Sequence, residues 1–91
     1  MFKKGRKAGQ IRFELTPING VKNVLIAGDF TNWQPVEMKK QKTGVFAVTL
    51  DLGKGSFQYK FQIDGEWRLD PDNEQKTQNN FGTLNNVVNL E

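Results

Sequence analysis

From Phe57 to Ile63 the chain alternates without a break: Phe57, Tyr59, Phe61 and Ile63 are apolar, while Gln58, Lys60 and Gln62 between them are polar. A period of two sends successive side chains to opposite faces of an extended strand. This segment therefore predicts a strand with an aromatic face toward a core and an amide-and-ammonium face toward water. The alternation recurs at Ile11-Arg12-Phe13-Glu14-Leu15 and from Val45 to Leu50. Val21 to Ala27 is a short β-branched run, and Asn19-Gly20 before it predicts a hairpin with the preceding strand. Asp64-Gly65 predicts a second hairpin that returns as Glu66 to Leu69, and Asn86 to Leu90 reads as the last strand. Between them, Gly28 to Gln41 has no helical period and carries Pro35, so it reads as a long loop with a short strand at Val36 to Met38. Glu74 to Asn80 reads as a polar connection. Six or seven short strands, frequent turn signals and no stretch of period 3.6 predict a small all-β protein, an antiparallel sandwich.

The 91 residues suffice for one domain. A chain of this size buries only about 60% of its unfolded surface, which leaves little room for a deep closed cavity and places any ligand on the surface. There is no cysteine and no histidine, which removes disulfides, thiolate nucleophiles, sulfur-ligated zinc and the commonest general base. Lys3, Lys4, Arg6 and Lys7 supply four of the cations behind the net charge of +3, leaving a body close to neutral. Residues 1–10 are thus expected to be a flexible basic segment and residues 11–91 the folded domain. A basic tail on a neutral body does not make nucleic acid the default partner. No apolar run is long enough to span a bilayer, and Met1-Phe2-Lys3-Lys4-Gly5 continues into no signal-peptide core, so the chain reads as soluble, with no membrane partner. The lack of cysteine is compatible with a cytoplasmic location. With its last strand running to the end of the sequence, the chain reads as a module of something larger.

Three residues carry the candidate chemistry. Trp33 lies in the long loop and Trp67 just past a hairpin turn, neither an obvious core position. Exposed indoles bind ligands that are flat and apolar on one side, and the C–H face of a pyranose fits that description. Amides at Asn32, Gln34, Asn79, Asn80, Asn85 and Asn86 flank the same loops and suit sugar hydroxyls. The competing reading has Trp33 and Trp67 capping the ends of the core, with Lys60 simply solvated on the polar face of its strand. Asp64, Glu66, Asp70, Asp72 and Glu74 form an acidic cluster, but turn chemistry accounts for Asp64 and Asp70, and the spacing matches no EF-hand. No metal, cofactor or catalytic residue is expected. Tyr59-Lys60-Phe61 is not a nucleic-acid stacking platform, because Tyr59 and Phe61 belong to the core-facing row.

The run Gly28-Asp29-Phe30-Thr31-Asn32-Trp33, then Tyr59 to Trp67, Asp70-Pro71 and Phe81-Gly82-Thr83-Leu84-Asn85-Asn86-Val87-Val88 resembles the glycogen/starch-binding carbohydrate-binding modules. Such modules stand beside the catalytic domains of isoamylases and glycogen-branching enzymes and in the β subunit of AMP-activated protein kinase. The resemblance covers about residues 11–90, with four motifs in order, and is nearest the kinase-subunit version. It implies an immunoglobulin-like antiparallel β-sandwich of six to eight short strands that binds α-1,4-linked glucan without catalysis. It further implies that Trp33 and Trp67 stack on sugar, that Lys60 donates to a hydroxyl, and that Phe81, Thr83 and Asn85 supply an apolar wedge and two polar contacts. The implied partners are the glucan and an attached enzyme domain or kinase-type subunit. Phe81 stands where an aliphatic residue is expected, and Thr31 where asparagine is common. The rival reading is a protein-interaction sandwich that docks a partner subunit, since fold alone does not fix function.

Overall fold

A computed structural model describes residues 2–4, 9–17 and 20–90, with the backbone alone for residues 3 and 4. The expected strands form as β2 (Gln10–Leu15), β6 (Phe46–Asp51) and β7 (Gly55–Ile63), and the last one, expected over Asn86 to Leu90, forms as β10 (Leu84–Leu90). Around them lie β1 (Phe2–Lys4), β3 (Val24–Gly28), β4 (Val36–Glu37), β5 (Lys39–Lys40), β8 (Glu66–Arg68) and β9 (Lys76–Gln78). One sheet has the order β1-β2-β6-β5 and the other β4-β3-β7-β10-β9, with β8 also paired to β7. All pairings are antiparallel. The fold is the β-sandwich that the pattern predicts. The ten described strands exceed the expected six to eight because β1, β5 and β9 are additional edge pieces of two or three residues. Such pieces are too short to show a period.

The inner rows of the two sheets meet as the core: Ile11, Phe13 and Leu15 from β2, Val24 and Ile26 from β3, Tyr59 and Phe61 from β7, with Met38, Phe46 and Val88. Phe13 is its hub. Its ring lies 4.9 Å from that of Tyr59, stacks on Phe30 at 5.3 Å and meets Phe2 at 6.3 Å. Met38 marks the point where one extended segment changes sheets: β4 pairs with β3, β5 pairs with β6, and the Met38 N–H donates to the Val24 carbonyl (2.9 Å).

Two expectations are corrected. Phe2–Lys4, placed in the flexible segment, forms β1 along β2, held by the Phe2 ring on Phe13. A single aromatic is enough to dock a three-residue edge strand when a ladder is already there. Met1 and residues 5–8, the rest of that segment, lie outside the described residues. The hairpin expected between the first two strands does not form: β2 pairs with β1 and β6, and β3 with β4 and β7. Gly20 takes a positive φ of +96°, and between β2 and β3 the chain passes from one sheet to the other. Asn19 lies outside the described residues.

The core also holds polar groups. Asp70 and Asn86 are buried on the inner side of the second sheet. The Tyr59 hydroxyl donates to Asp70 Oδ2 (2.8 Å) and accepts from Asn73 Nδ2 (2.9 Å). Asn86 accepts from the Asp70 N–H (2.6 Å) and donates to the Asn73 carbonyl (3.1 Å). Asn86 is thus a structural amide and faces away from the surface that Asn85 lines. Among the described residues no buried side-chain polar atom lacks a partner. Such a network is stabilising only when complete, and this one ties the loop between β8 and β9 onto β7 and β10.

Burial raises the Tyr59 phenol well above its ordinary range, with the neighbouring Asp70 carboxylate acting in the same direction. The unfolded chain therefore loses this proton first, and its contribution to stability is full below about pH 10 and drains away as pH rises further. Tyr59 is the single tyrosine of the chain. Tyrosinate absorbance is therefore expected to appear together with the loss of β circular dichroism in an alkaline titration. Tyr59→Phe, which leaves Asp70 and Asn73 each short of a partner, is expected to cost about 1–3 kcal/mol by urea unfolding.

Candidate functional site

Strand register decides which side chains share the outer face. β3 and β8 pair with opposite edges of the Phe61–Ile63 part of β7, and β10 pairs with the Gly55–Tyr59 part along the same edge as β8. Lys60 therefore sits where three pieces converge: the loop that leaves β3 after Gly28, the strand β8, and the loop that enters β10. Trp67 is opposite Gln62 and so stands on the Lys60 face.

The loop after β3 divides its two aromatics. Asp29–Thr31 makes one 3-10 turn, closed by the Thr31 hydroxyl, which donates to the Gly28 carbonyl and accepts from the Gly28 N–H, both at 3.1 Å. Thr31 thus does the work of a turn-closing amide. Phe30 points inward against Phe13 and meets Phe57 edge-on at 6.2 Å. Asn32 and Trp33 then take left-handed conformations at φ +55° and +60°, which turn the indole outward. Such consecutive positive φ values store strain and persist only where contacts overdetermine them. Here the Trp33 N–H donates to the Gly28 carbonyl (2.9 Å) and the indole Nε1–H donates to Asp29 Oδ1 (3.0 Å).

The loop entering β10 is organised by Asn79. Its Oδ1 accepts from the Phe81 and Thr83 N–H groups (2.9 and 3.1 Å). Its Nδ2 donates to Thr83 Oγ1 (2.7 Å) and Asn85 Oδ1 (3.1 Å). Asn85 in turn donates to Gln58 Oε1 at 3.0 Å. At the tip, Phe81 is 90% exposed.

Trp33, Lys60, Trp67, Phe81, Thr83 and Asn85 line one shallow depression of about 360 Å³, and Asn79 completes it. The structure thus brings together the six residues singled out by resemblance. Trp33 is 36% and Trp67 46% exposed, and neither belongs to the core cluster, so the reading in which they cap the core fails. Asn85 is only 5% exposed. With Gln58 and Asn79 engaged, it retains one amide proton and one lone pair for a ligand. Among the described residues no hydrogen bond or ion pair engages the Lys60 ammonium. No carboxylate lines the depression.

Three of the five clustered carboxylates are engaged elsewhere. Asp64 accepts from the Lys22 and Asn23 N–H groups (3.0 and 2.8 Å), Glu66 pairs with Arg68, and Asp70 is in the buried network. Among the described residues no three metal-ligating side chains converge. Gln58 and Asp29 are the contributors not singled out from sequence, and Asn79, read there only as one of several flanking amides, proves to organise the loop. The signal for Asn79 is local, since an asparagine whose side chain captures the N–H two residues on is a turn former.

An open β-sandwich face with two indoles, a phenyl ring and neutral hydrogen-bonding groups defines a carbohydrate-recognition module. The family described as the glycogen recognition site of AMP-activated protein kinase matches residues 11–91, and the chain belongs to that family. Among its relatives, the 5'-AMP-activated protein kinase subunit beta-1 of Sus scrofa is 37% identical over 71 residues, 78% of this chain and 57% of that one. The human subunit beta-1 is 37% identical over the same length, which is 26% of that protein. The chain thus spans only part of the curated relatives it matches. Among solved structures, the maltogenic amylase from S. marinus superposes on all of this chain at TM-score 0.83 and 27% identity, over 16% of its own length. The Paenibacillus barengoltzii pullulanase variant complexed with maltotriose covers 97% of this chain and 14% of its own at TM-score 0.61 and 17% identity, a likeness of fold.

Gly28 lets the site loop approach β7: a Cβ there would lie 2.5 Å from the Gln58 carbonyl oxygen and 2.8 Å from the Phe30 ring. Gly28→Ala is expected to lower stability by about 2 kcal/mol or more in urea unfolding and to shift Trp33 emission, because the backbone must move apart.

Proposed function

We propose that this domain binds α-1,4-linked glucan without acting on it and tethers a larger assembly to the polymer. The observation that carries this reading is the shared depression, where two exposed indoles and a phenyl ring stand beside Lys60, Thr83 and Asn85. A coiled glucan offers apolar C–H faces to aromatic rings and a rim of hydroxyls to donors and acceptors, so both halves of the lining have a use. The glucan is neutral, and the depression carries one cation.

The same lining supports a role without catalysis. Glycoside hydrolysis ordinarily needs two carboxyl groups flanking the bond, and none faces this depression. The amylase and the pullulanase are enzymes, and the part of each that resembles this chain is a small fraction of its length. The relatives are likewise longer than the matched segment, so an enzyme domain or kinase subunit is the partner this reading assigns. Among the described residues no helix is long and apolar enough to cross a membrane, and a chain without cysteine suits a reducing cytoplasm. An open site on so small a domain binds a single oligosaccharide weakly, roughly in the micromolar to millimolar range, and gains avidity from repeats along the polymer.

Glycogen affinity electrophoresis is expected to retard the parent protein, and Trp33→Ala or Trp67→Ala to lose most of that retardation while keeping the parent's circular dichroism. Variants that migrate like the parent would misplace the site. Maltoheptaose is expected to change tryptophan emission with an affinity that is flat between about pH 6 and 8, since no histidine titrates, and insensitive to salt. A steep salt dependence would point to an anionic ligand, and an unchanged emission to a docking module.

A further inference from the structure

Beneath the depression runs a chain of side-chain hydrogen bonds, and Asp29 begins it. Its two carboxylate oxygens serve different elements: Oδ1 accepts from the Trp33 indole N–H (3.0 Å) and Oδ2 from the Gln58 backbone N–H (2.8 Å). Gly28 and Tyr59 are the last pair of the β3–β7 ladder. Gln58 lies one residue beyond it, so its N–H meets no strand acceptor on that side, and the Asp29 carboxylate takes its place. From Gln58 the chain continues through Asn85 and Asn79 to Thr83.

We infer that Asp29 is a positioning residue for glucan binding, one that clamps the Trp33 indole to β7 and strengthens its face toward sugar. The inference rests on the glucan reading above. Two physical effects support it. The clamp removes rotational freedom from an indole whose backbone is already in a strained left-handed turn, so less ordering remains to be done on binding. The clamp also engages the indole N–H, leaving the ring face as the surface presented. A charged acceptor on that N–H further pushes electron density toward the ring, whose negative face attracts the slightly positive C–H groups of a pyranose. The first effect survives in part with any acceptor at the position, whereas the second requires the charge.

Isotope-labelled protein is expected to show one indole N–H resonance for each of its two tryptophans. In Asp29→Ala, the Trp33 indole resonance is expected to move upfield and exchange faster with solvent, the Trp67 resonance to stay in place, and maltoheptaose affinity to fall about tenfold. Asp29→Asn, which keeps the shape and one acceptor, is expected to fall between parent and alanine, and it decides the matter if the alanine variant loses its fold. A purely structural role would instead lower the urea midpoint and disturb both indole signals together. Parental affinity in the folded alanine variant, or in the asparagine variant if alanine does not fold, overturns the inference, as does a Trp33 indole resonance that does not move. The two readings fail differently. Parental binding that Trp33→Ala abolishes and Asp29→Ala spares sinks only the role of Asp29, while a parent protein that does not bind sinks the glucan reading and this inference with it.

Discussion

β7 must present its odd and even side chains to opposite faces, and that parity organises the molecule. On one face Tyr59 and Phe61 are sealed in the core; on the other Lys60 lines the depression and Gln58 accepts from the lining residue Asn85. The same strand is paired along both edges, to β3 on one side and to β8 and β10 on the other. A one-residue slip of β8 or β10 against β7 would send Trp67 or Asn85 toward the core. Core packing therefore sets the geometry of recognition, because the register that buries the aromatic row is the register that aligns the polar one.

Hydrogen bonding divides the labour between the two sides. The inner network of Tyr59, Asp70, Asn73 and Asn86 fastens the loop that follows Trp67, and the outer chain of Asp29, Gln58, Asn85 and Asn79 fastens the loops that carry Trp33 and Thr83. Neither set resembles an active site. Each replaces strand pairing at a place where a ladder has ended, and a half-satisfied network there would cost more than an apolar one. The loops are thereby tied by side-chain hydrogen bonds to the strands they leave.

The parts of this design legible from sequence are those with a local signature. Unbroken alternation exposed β2 and β7, and the loop positions of Trp33 and Trp67 pointed outward before any contact was known. The illegible parts depend on residues far apart. Asp29 meets Gln58 across 29 positions and Gln58 meets Asn85 across 27, and no local pattern encodes such pairs. β9 is polar throughout and is made a strand only by β10 beside it. The adjacent amides Asn85 and Asn86 look equivalent in sequence, yet parity with the core residue Val88 assigns Asn86 to the inside. That signal was present and lies in the strand pattern, not in composition. The turn at Gly20 misled because a reversal of direction does not say which strand the chain will meet next.

The depression itself combines fixed and free groups, and the balance bears on how so small a surface recognises a polymer. Trp33, Thr83 and Asn85 are already hydrogen-bonded in place, so a sugar docking on them finds little left to order. Lys60 and Phe81 are unanchored: the ammonium has no partner among the described residues, and the phenyl ring is almost wholly in water. Immobilising each costs roughly 0.5–1.5 kcal/mol, a loss that burying the Phe81 ring against sugar can offset through the apolar area it removes from water. A rigid site throughout would demand one curvature of its ligand. On the proposed glucan reading, the indole held by its hydrogen bonds would select for a pyranose while the exposed Phe81 ring would adjust to the varying turn of a coiled chain, which would separate selectivity from adaptation within a few residues of one another.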